Sequence, residues 1–272
     1  MNHLTNICMD LICEVRTKTP LIHNITNYVT VNDCANAVLA IGGSPIMADD
    51  EGEVEEIVSI SSALVINIGT LNQRTIASMI KAGKKANELH IPVVLDPVGA
   101  GASSLRNRAV REILSQIKID VLRGNLSEVS FVAGLSASTK GVDTAEEDEK
   151  NDAASIAKSV ANKLSCVVGI TGKIDIISDG IRVSKISNGR KLLSKVTGTG
   201  CMTSALVGTF CGATRDYYSA AVAGIAIMGI SGELAYEKYG EVGTGSFHIG
   251  IIDALSNMDR TIFGEMAKID ET

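Results

Sequence analysis

The sequence predicts an α/β fold with three layers, a mostly parallel central sheet carrying helices on both faces. Three observations lead there. Short, nearly unbroken apolar runs recur at 63–70, 91–97 and 166–171, each closed by Gly, Pro or Thr. Runs that do not alternate polar and apolar suit parallel strands covered on both sides. Longer stretches with helical spacing separate them, so strands and helices alternate along the chain, as a doubly wound sheet requires. The 45% of hydrophobic residues against 21% charged supplies a large core. That core must be built from Ile, Val, Leu, Ala and Met, because only 3% of residues are aromatic and none is Trp. No linker composition and no internal repeat divides the chain, so residues 1–272 are expected to form a single domain.

In order, a loosely amphipathic segment from His3 to Val15 reads as a helix, and Pro20 to Asn27 gives an apolar pair followed by hydrogen-bonding side chains. A helix from Val29 to Ile41 carries Asn32 and Asn36 at i, i+4, a spacing that suits a local side-chain network, and stops at Gly42-Gly43. A short strand over 44–48 precedes an acidic helix from Glu51 to Ser59. The strand at 63–70 leads to a helix from Arg74 to Leu89, and the strand at 91–97 places Asp96 near its carboxyl end. Gly99-Ala100-Gly101 loops into a helix reaching Ile117, then a strand over 120–123 runs into Gly124-Asn125-Leu126-Ser127-Glu128 and another helix. The acidic stretch Gly141 to Asn151 reads as an exposed loop and helix start, Ser155 to Leu164 as a helix, and 166–171 as a strand. Ser178-Asp179-Gly180 marks a hairpin between two strand-like halves of 174–186. Buried helices follow over 205–213 and from Tyr217 to Tyr239, and Gly243 to Phe247 opens a last helix.

Composition removes several classes of function. A net charge of −6 without a basic tract argues against nucleic acid, which needs clustered Lys and Arg. The six Cys, at 8, 13, 34, 166, 201 and 211, form no CxxC pair and lie mostly in apolar settings. With no signal peptide at the N-terminus, reduced thiols in a cytoplasmic protein are expected. The four His are scattered and make no ligand cluster. The uncharged segment from Tyr217 to Ser231 is too short to span a bilayer, and no membrane role follows.

Ligands of open α/β sheets bind beyond the carboxyl ends of the strands. Four candidate features fall at such ends: Asp96, the turn from Arg123 to Glu128, Thr171-Gly172, and the stretch Val196 to Ser204. In the last of these, Gly198, Thr199 and Gly200 stand before an apolar helix, leaving backbone N–H groups and the helix dipole to face an anion, and Cys201 lies in the same field. Arg123 offers a fixed cation for phosphate, Thr171-Gly172 a hydroxyl and an approachable backbone, and Asp96 with Glu128 a pair of carboxylates able to hold Mg²⁺ through waters. Each alone is more often a cap or a turn; their arrival at one sheet edge is what carries information. Two look-alikes fall away. In Gly169-Ile170-Thr171-Gly172-Lys173 the glycines are too close and Ile174 replaces the Ser or Thr of a P-loop, and Gly99-Ala100-Gly101 lacks the third glycine of a dinucleotide fingerprint.

Laid side by side, these residues resemble the ribokinase-like superfamily and, within it, the hydroxyethylthiazole kinase family. The resemblance runs nearly end to end. It rests on 21–27 (LIHNITN), 43–47 (GSPIM), 96–100 (DPVGA), Arg123-Gly124-Asn125 with Glu128, Thr171-Gly172, 198–201 (GTGC) and Gly245-Ser246-Phe247. It implies ATP-dependent phosphorylation of the hydroxyl of 4-methyl-5-(2-hydroxyethyl)thiazole. Met47 and Gly198 would line the thiazole site with Asn27 close by, Arg123, Thr171 and Gly172 would bind ATP, and Asp96 and Glu128 would hold Mg²⁺. The amides of Gly198, Thr199 and Gly200 would receive transition-state charge, and Cys201 stands where the superfamily generally has Asp. A homotrimer with pockets between subunits is implied as well. Thr244 and Lys173 depart from the family pattern, where Pro and an acidic residue are usual. A kinase for hydroxymethylpyrimidine or pyridoxal, a non-catalytic binder and a Cys-dependent hydrolase stand as alternatives. ATP consumption with and without the thiazole alcohol separates the kinase from the binder.

Overall fold

The apolar runs become short strands: β1 (Leu21–Ile25), β2 (Ser44–Ile46), β3 (Ala63–Asn67), β4 (Val93–Asp96), β5 (Val121–Asn125) and β6 (Val167–Thr171). In this computed structural model, which describes residues 3–134 and 146–271 with the side chains of 146–152 set aside, the six pair in parallel in the order β2-β1-β3-β4-β5-β6. Every side chain of β3 and β4 is buried, which is why their sequences do not alternate. The predicted hairpin follows as β7 (Asp175–Ser178), antiparallel to β6, and β8 (Val183–Ile186), antiparallel to β7. Its tip is shaped by Asp179, whose Oδ1 accepts the N–H groups of Ile181 and Arg182.

One face of the sheet carries α1 (His3–Lys18), α2 (Val31–Ile41), α8 (Thr199–Ala213), α9 (Tyr217–Tyr239) and α10 (Thr244–Asn257) around one apolar core. The opposite face carries α3 (Val54–Ser59), α4 (Gln73–Glu88), α5 (Ser104–Gln116), α6 (Leu126–Ala133) and α7 (Glu146–Leu164) around a second. Helix α9 is long and apolar enough by composition to cross a membrane, but 94% of its most apolar window is buried inside the fold. It is a central core helix. The pair Asn32 and Asn36 forms the expected local bond, Nδ2 to Oδ1 at 2.5 Å on an exposed face.

Three expectations are corrected. The helix opening at Gly243 is not the last element: α11 (Arg260–Met266) and β9 (Ile269–Glu271) follow, and β9 pairs antiparallel with β8. A three-residue edge strand with two acidic positions has no apolar period to reveal it. The helix start expected within 141–151 and the helix expected over Ser155 to Leu164 are one helix, α7, running from Glu146, and the earlier part of the acidic stretch, 141–145, lies outside the described residues. Finally, α8 begins at Thr199, so Thr199, Gly200 and Cys201 form its first turn instead of a loop ahead of it.

The strand order places the site. Reading outward from β1, the chain passes to β2 on one side and to β3 on the other, so the winding direction reverses between β1 and β3. Open sheets leave a crevice at such a reversal, beyond the carboxyl ends of the strands.

Candidate functional site

Beyond the carboxyl ends of β4, β5 and β6 lies a cleft of about 1150 Å³, and all four stretches singled out from the sequence reach it through Asp96, Arg123, Glu128, Thr171, Gly198 and Cys201. Asp96 ends β4, Arg123 lies in β5, and Thr171 ends β6. Glu128 is placed by the start of α6, where it and Asn125 form a reciprocal capping box. Its Oε2 accepts the Asn125 amide and its Oε1 accepts the Gly99 amide, each at 2.8 Å, so this carboxylate also fixes the loop after β4.

Asp96 is 1% exposed. Its Oδ2 accepts the Ser204 hydroxyl at 2.7 Å and the Asn67 amide at 2.9 Å, and Nη1 of Arg123 lies 3.7 Å away, while its Oδ1 is buried without a partner. Burial pushes the Asp96 carboxyl up to about 6, against the opposing pull of Arg123 and the Ser204 hydroxyl. Arg123 donates through Nη2 to the Thr171 hydroxyl at 2.6 Å, and its Nε is buried without a partner. A guanidinium so held keeps donor capacity for an anion in the cleft. The amide of Gly172, by contrast, is taken by Asp175 Oδ1 at 2.9 Å. Asp175 also lines the cleft, and its carboxyl is pushed up to about 7 by burial, opposed by that amide and by Arg123.

The first turn of α8 closes the site. Gly198, its N-cap residue, has φ of +90°, and a Cβ there would come within 2.7 Å of Thr30 Cγ2, so only glycine fits. No side chain caps this helix, which leaves its first amides and the positive dipole end directed into the cleft. A Cβ on Gly200 would lie 2.9 Å from Arg123 Nη1, so the guanidinium rests directly against this turn. Helix terminus and cation thus make one anion seat.

Cys201 sits half-buried beside it, and its Sγ accepts an N–H from Asn27 Nδ2 at 3.2 Å. Asn27 is buried and meets the site through this bond; it does not line the cleft wall. Met47 stands apart. It is half-buried after β2, packed on the core, and outside the residues lining the cleft.

Residues that sequence reasoning missed hold these groups in place. Asn67, ending β3, bonds both Asn27 and Asp96. Ser204, one turn into α8, reaches the same carboxylate. Arg106, in α5, donates to the carbonyls of Ile68 and Val98 and, at 2.6 Å, of Gly69, clamping together the loops after β3 and β4. Asn67 carried a usable signal, since it closes an apolar strand just as Asp96 does. Arg106, in an ordinary polar helix, carried none.

Known proteins resemble this chain along nearly its whole length. The sequence model of the hydroxyethylthiazole kinase family aligns with residues 12–261. A hydroxyethylthiazole kinase from Ruminiclostridium cellulolyticum is 66% identical over 272 residues, all of both chains. The solved structure of a hydroxyethylthiazole kinase from Pyrococcus horikoshii is similar at 41% identity, with a TM-score of 0.89, over 98% of this chain and 99% of that one. A Staphylococcus aureus pyridoxal kinase, solved with AMP-PCP and pyridoxal, shares the fold with a TM-score of 0.60 at 15% identity, over 79% of this chain and 87% of that one.

Proposed function

The chain belongs to the hydroxyethylthiazole kinase family, and on that premise we propose how its residues phosphorylate the hydroxyl of 4-methyl-5-(2-hydroxyethyl)thiazole in thiamine salvage, with ATP as phosphoryl donor. The observation that carries the reading is the meeting, in one cleft, of an uncapped helix start, the Arg123 guanidinium and the Cys201 thiol.

Phosphoryl transfer passes through a loose transition state, so positioning and charge neutralisation do most of the work. Arg123 binds the ATP phosphates, held in aim by Thr171, with the Thr171-Gly172 turn forming part of the nucleotide wall. The amides of Gly198, Thr199 and Gly200 receive charge gathering on the transferred group. Cys201 faces the acceptor hydroxyl. As the alcohol oxygen bonds to the γ-phosphorus, the bond to the ADP oxygen breaks and the hydroxyl proton leaves on the Cys201 side.

Mg²⁺ fits the carboxylates. Among the described residues no three ligand-type side chains cluster, yet Asp96 Oδ1 is buried with nothing to accept, and Asp96 feels the Glu128 charge. Mg²⁺ keeps several waters and takes one or two carboxylates plus phosphate oxygens, which suits this pair. Asp96 and Glu128 would hold it. When bound it supplies neutralisation of phosphate charge.

Met47 and Gly198 contact the thiazole, and Met47 is steadied because the next residue, Ala48, accepts an N–H from His23 Nε2 at 2.8 Å. That Met47 lies off the single-chain cleft supports a pocket completed by a neighbouring subunit in a homotrimer. So do exposed apolar side chains ahead of α2 and on α10, Tyr28 at 79%, Val29 at 53% and Ile249 at 63%. Sedimentation at micromolar protein tests this, and a monomer unaffected by salt or substrate overturns it. Residues 1–272 act as one kinase domain, a reading supported by a sheet that takes strands from both ends of the chain. The free state of all six cysteines suits a cytoplasmic enzyme. ADP release measured across the thiazole alcohol, hydroxymethylpyrimidine and pyridoxal tests the substrate. Turnover with the thiazole alcohol alone is expected, and equal rates on all three overturn it.

A further inference from the structure

Asn67 is 1% exposed at the end of β3 and belongs to none of the groups assigned so far. Its surroundings fix which way its carboxamide faces. The Gly69 backbone N–H, which can only donate, bonds Asn67 Oδ1 at 2.9 Å, so the oxygen faces that side and the NH₂ faces Asp96 Oδ2 at 2.9 Å. The same Oδ1 lies 3.0 Å from the Asn27 side chain, which must therefore present its NH₂. That nitrogen carries two hydrogens: one goes to Asn67, and the other points along the 3.2 Å line to Cys201 Sγ. Asn27 Oδ1 is taken by the Thr30 hydroxyl at 3.1 Å. Reversing the Asn27 amide would set two oxygens against each other at 3.0 Å in a buried place, an arrangement that costs several-fold more than the bond is worth.

We infer that Asn67 is a positioning residue for the reaction: it locks the Asn27 carboxamide so that an N–H is aimed at Cys201 Sγ, making the sulfur a hydrogen-bond acceptor. The inference rests on the reading of Cys201 as the group that faces the acceptor hydroxyl. It follows that Asn27 holds the thiol, with neither N–H free for the thiazole. An amide donor fixes the sulfur lone pairs, leaving one free to face the incoming hydroxyl. Asn27 and Asn67 meet at the carboxyl ends of β1 and β3, where the winding of the sheet reverses, behind the cleft wall that Cys201 and Asp96 line.

The experiment uses the full-length enzyme. Asn67→Ala and Asn27→Ala are each expected to slow alkylation of Cys201 by iodoacetamide about threefold at pH 7.5, since each removes the N–H that steadies charge on the reacting sulfur and fixes its direction. Exposed Cys13 is the internal reference, both read by peptide mass spectrometry. An unchanged or faster rate overturns the inference. In steady-state assays Asn67→Ala should lower kcat about tenfold with the KM for ATP held, and the loss should vanish in a Cys201→Ala background. If it persists in full there, Asn67 acts through Asp96 and the inference fails. Wild-type turnover by Cys201→Ala alone would instead remove the reading of Cys201, while the alkylation rates still decide the contact. Thermal melts confirm folding, and Asn27→Ala carries the test should Asn67→Ala not fold.

Discussion

Nη2 of Arg123 donates to the Thr171 hydroxyl across 2.6 Å, tying neighbouring strands β5 and β6 together at their carboxyl ends. The bond sets the plane of the guanidinium, which lies against the first turn of α8 and 3.7 Å from Asp96. A lysine keeps the charge but not the fork. Arg123→Lys is therefore expected to lower kcat/KM for ATP about 100-fold. Thr171→Ala, which frees the fork without removing it, should lower it about tenfold, roughly the 1.4 kcal/mol of one charge-assisted bond. Initial rates against ATP at saturating thiazole alcohol measure both; equal losses would mean that Thr171 contacts the nucleotide itself.

Cys201 accepts an N–H from Asn27 and stands in the first turn of α8. A group there that helps the hydroxyl proton depart typically contributes about 10²- to 10⁴-fold. Cys201→Ala should lose a factor in that range and still turn over, because the amide cradle and Arg123 remain. Cys201→Asp should be active, since a carboxylate accepts the same Asn27 N–H and sits at the same helix start. A folded, substrate-binding Cys201→Asp enzyme with no turnover in single-turnover assays would remove Cys201 from the proton path.

Glu128 gives an oxygen to each of two backbone amides, those of Gly99 and Asn125. Glutamine has one oxygen to offer, so Glu128→Gln must turn an NH₂ toward one of those N–H groups. The buried mismatch should cost about 1–3 kcal/mol of stability with no metal present. If the same carboxylate holds Mg²⁺, the Mg²⁺ concentration for half-maximal activity should also rise several-fold, while the KM for the thiazole alcohol stays within about twofold. A lowered melting temperature with an unaltered Mg²⁺ titration would leave Glu128 a purely structural role.

Why was this much legible in the sequence? Asp96 and Thr171 end buried strands, and at the end of a buried strand a polar side chain has few places to face except the ligand crevice. Gly198 to Cys201 announced itself through glycines before an apolar helix. What stayed hidden depends on contacts far apart in the chain. Arg106 is unremarkable until α5 packs and its guanidinium meets three carbonyls from two loops. Ser204 reaches Asp96 from 108 positions away. Asn67 closes an apolar strand and family likeness set Asn27 near the thiazole, but the 3.0 Å bond between them appears only once β1 and β3 pair. Family likeness placed Met47 near the thiazole, and the fold of one chain leaves it outside the cleft. Strand β9 was illegible for a different reason, since three residues at a sheet edge have no periodicity to read.

The buried cysteines set an alkaline limit on stability. Cys8, Cys34, Cys166 and Cys211 are all free and buried, and burial pushes each thiol up from the usual 9, Cys34 and Cys166 to about 12. Above pH 9 the unfolded chain releases these protons while the folded protein keeps them. The unfolded state then binds fewer protons, so unfolding becomes easier as pH rises. Each group contributes about 1.4 kcal/mol per pH unit once its unfolded form is ionised, and four together about 5 kcal/mol per unit. Below about pH 8 the term is absent, and stability from this source is complete. Tyr217 and Tyr218, raised by burial as well, steepen the fall above pH 10. Urea unfolding of the reduced enzyme at pH 8, 9 and 10 should show a drop of about 1 kcal/mol in the first step and about 4 kcal/mol in the second. Cys211→Ala should lose about a quarter of the thiol contribution to that slope whatever it does to stability at pH 8. A flat profile from 9 to 10 would mean that these thiols ionise in the folded protein, which their burial forbids.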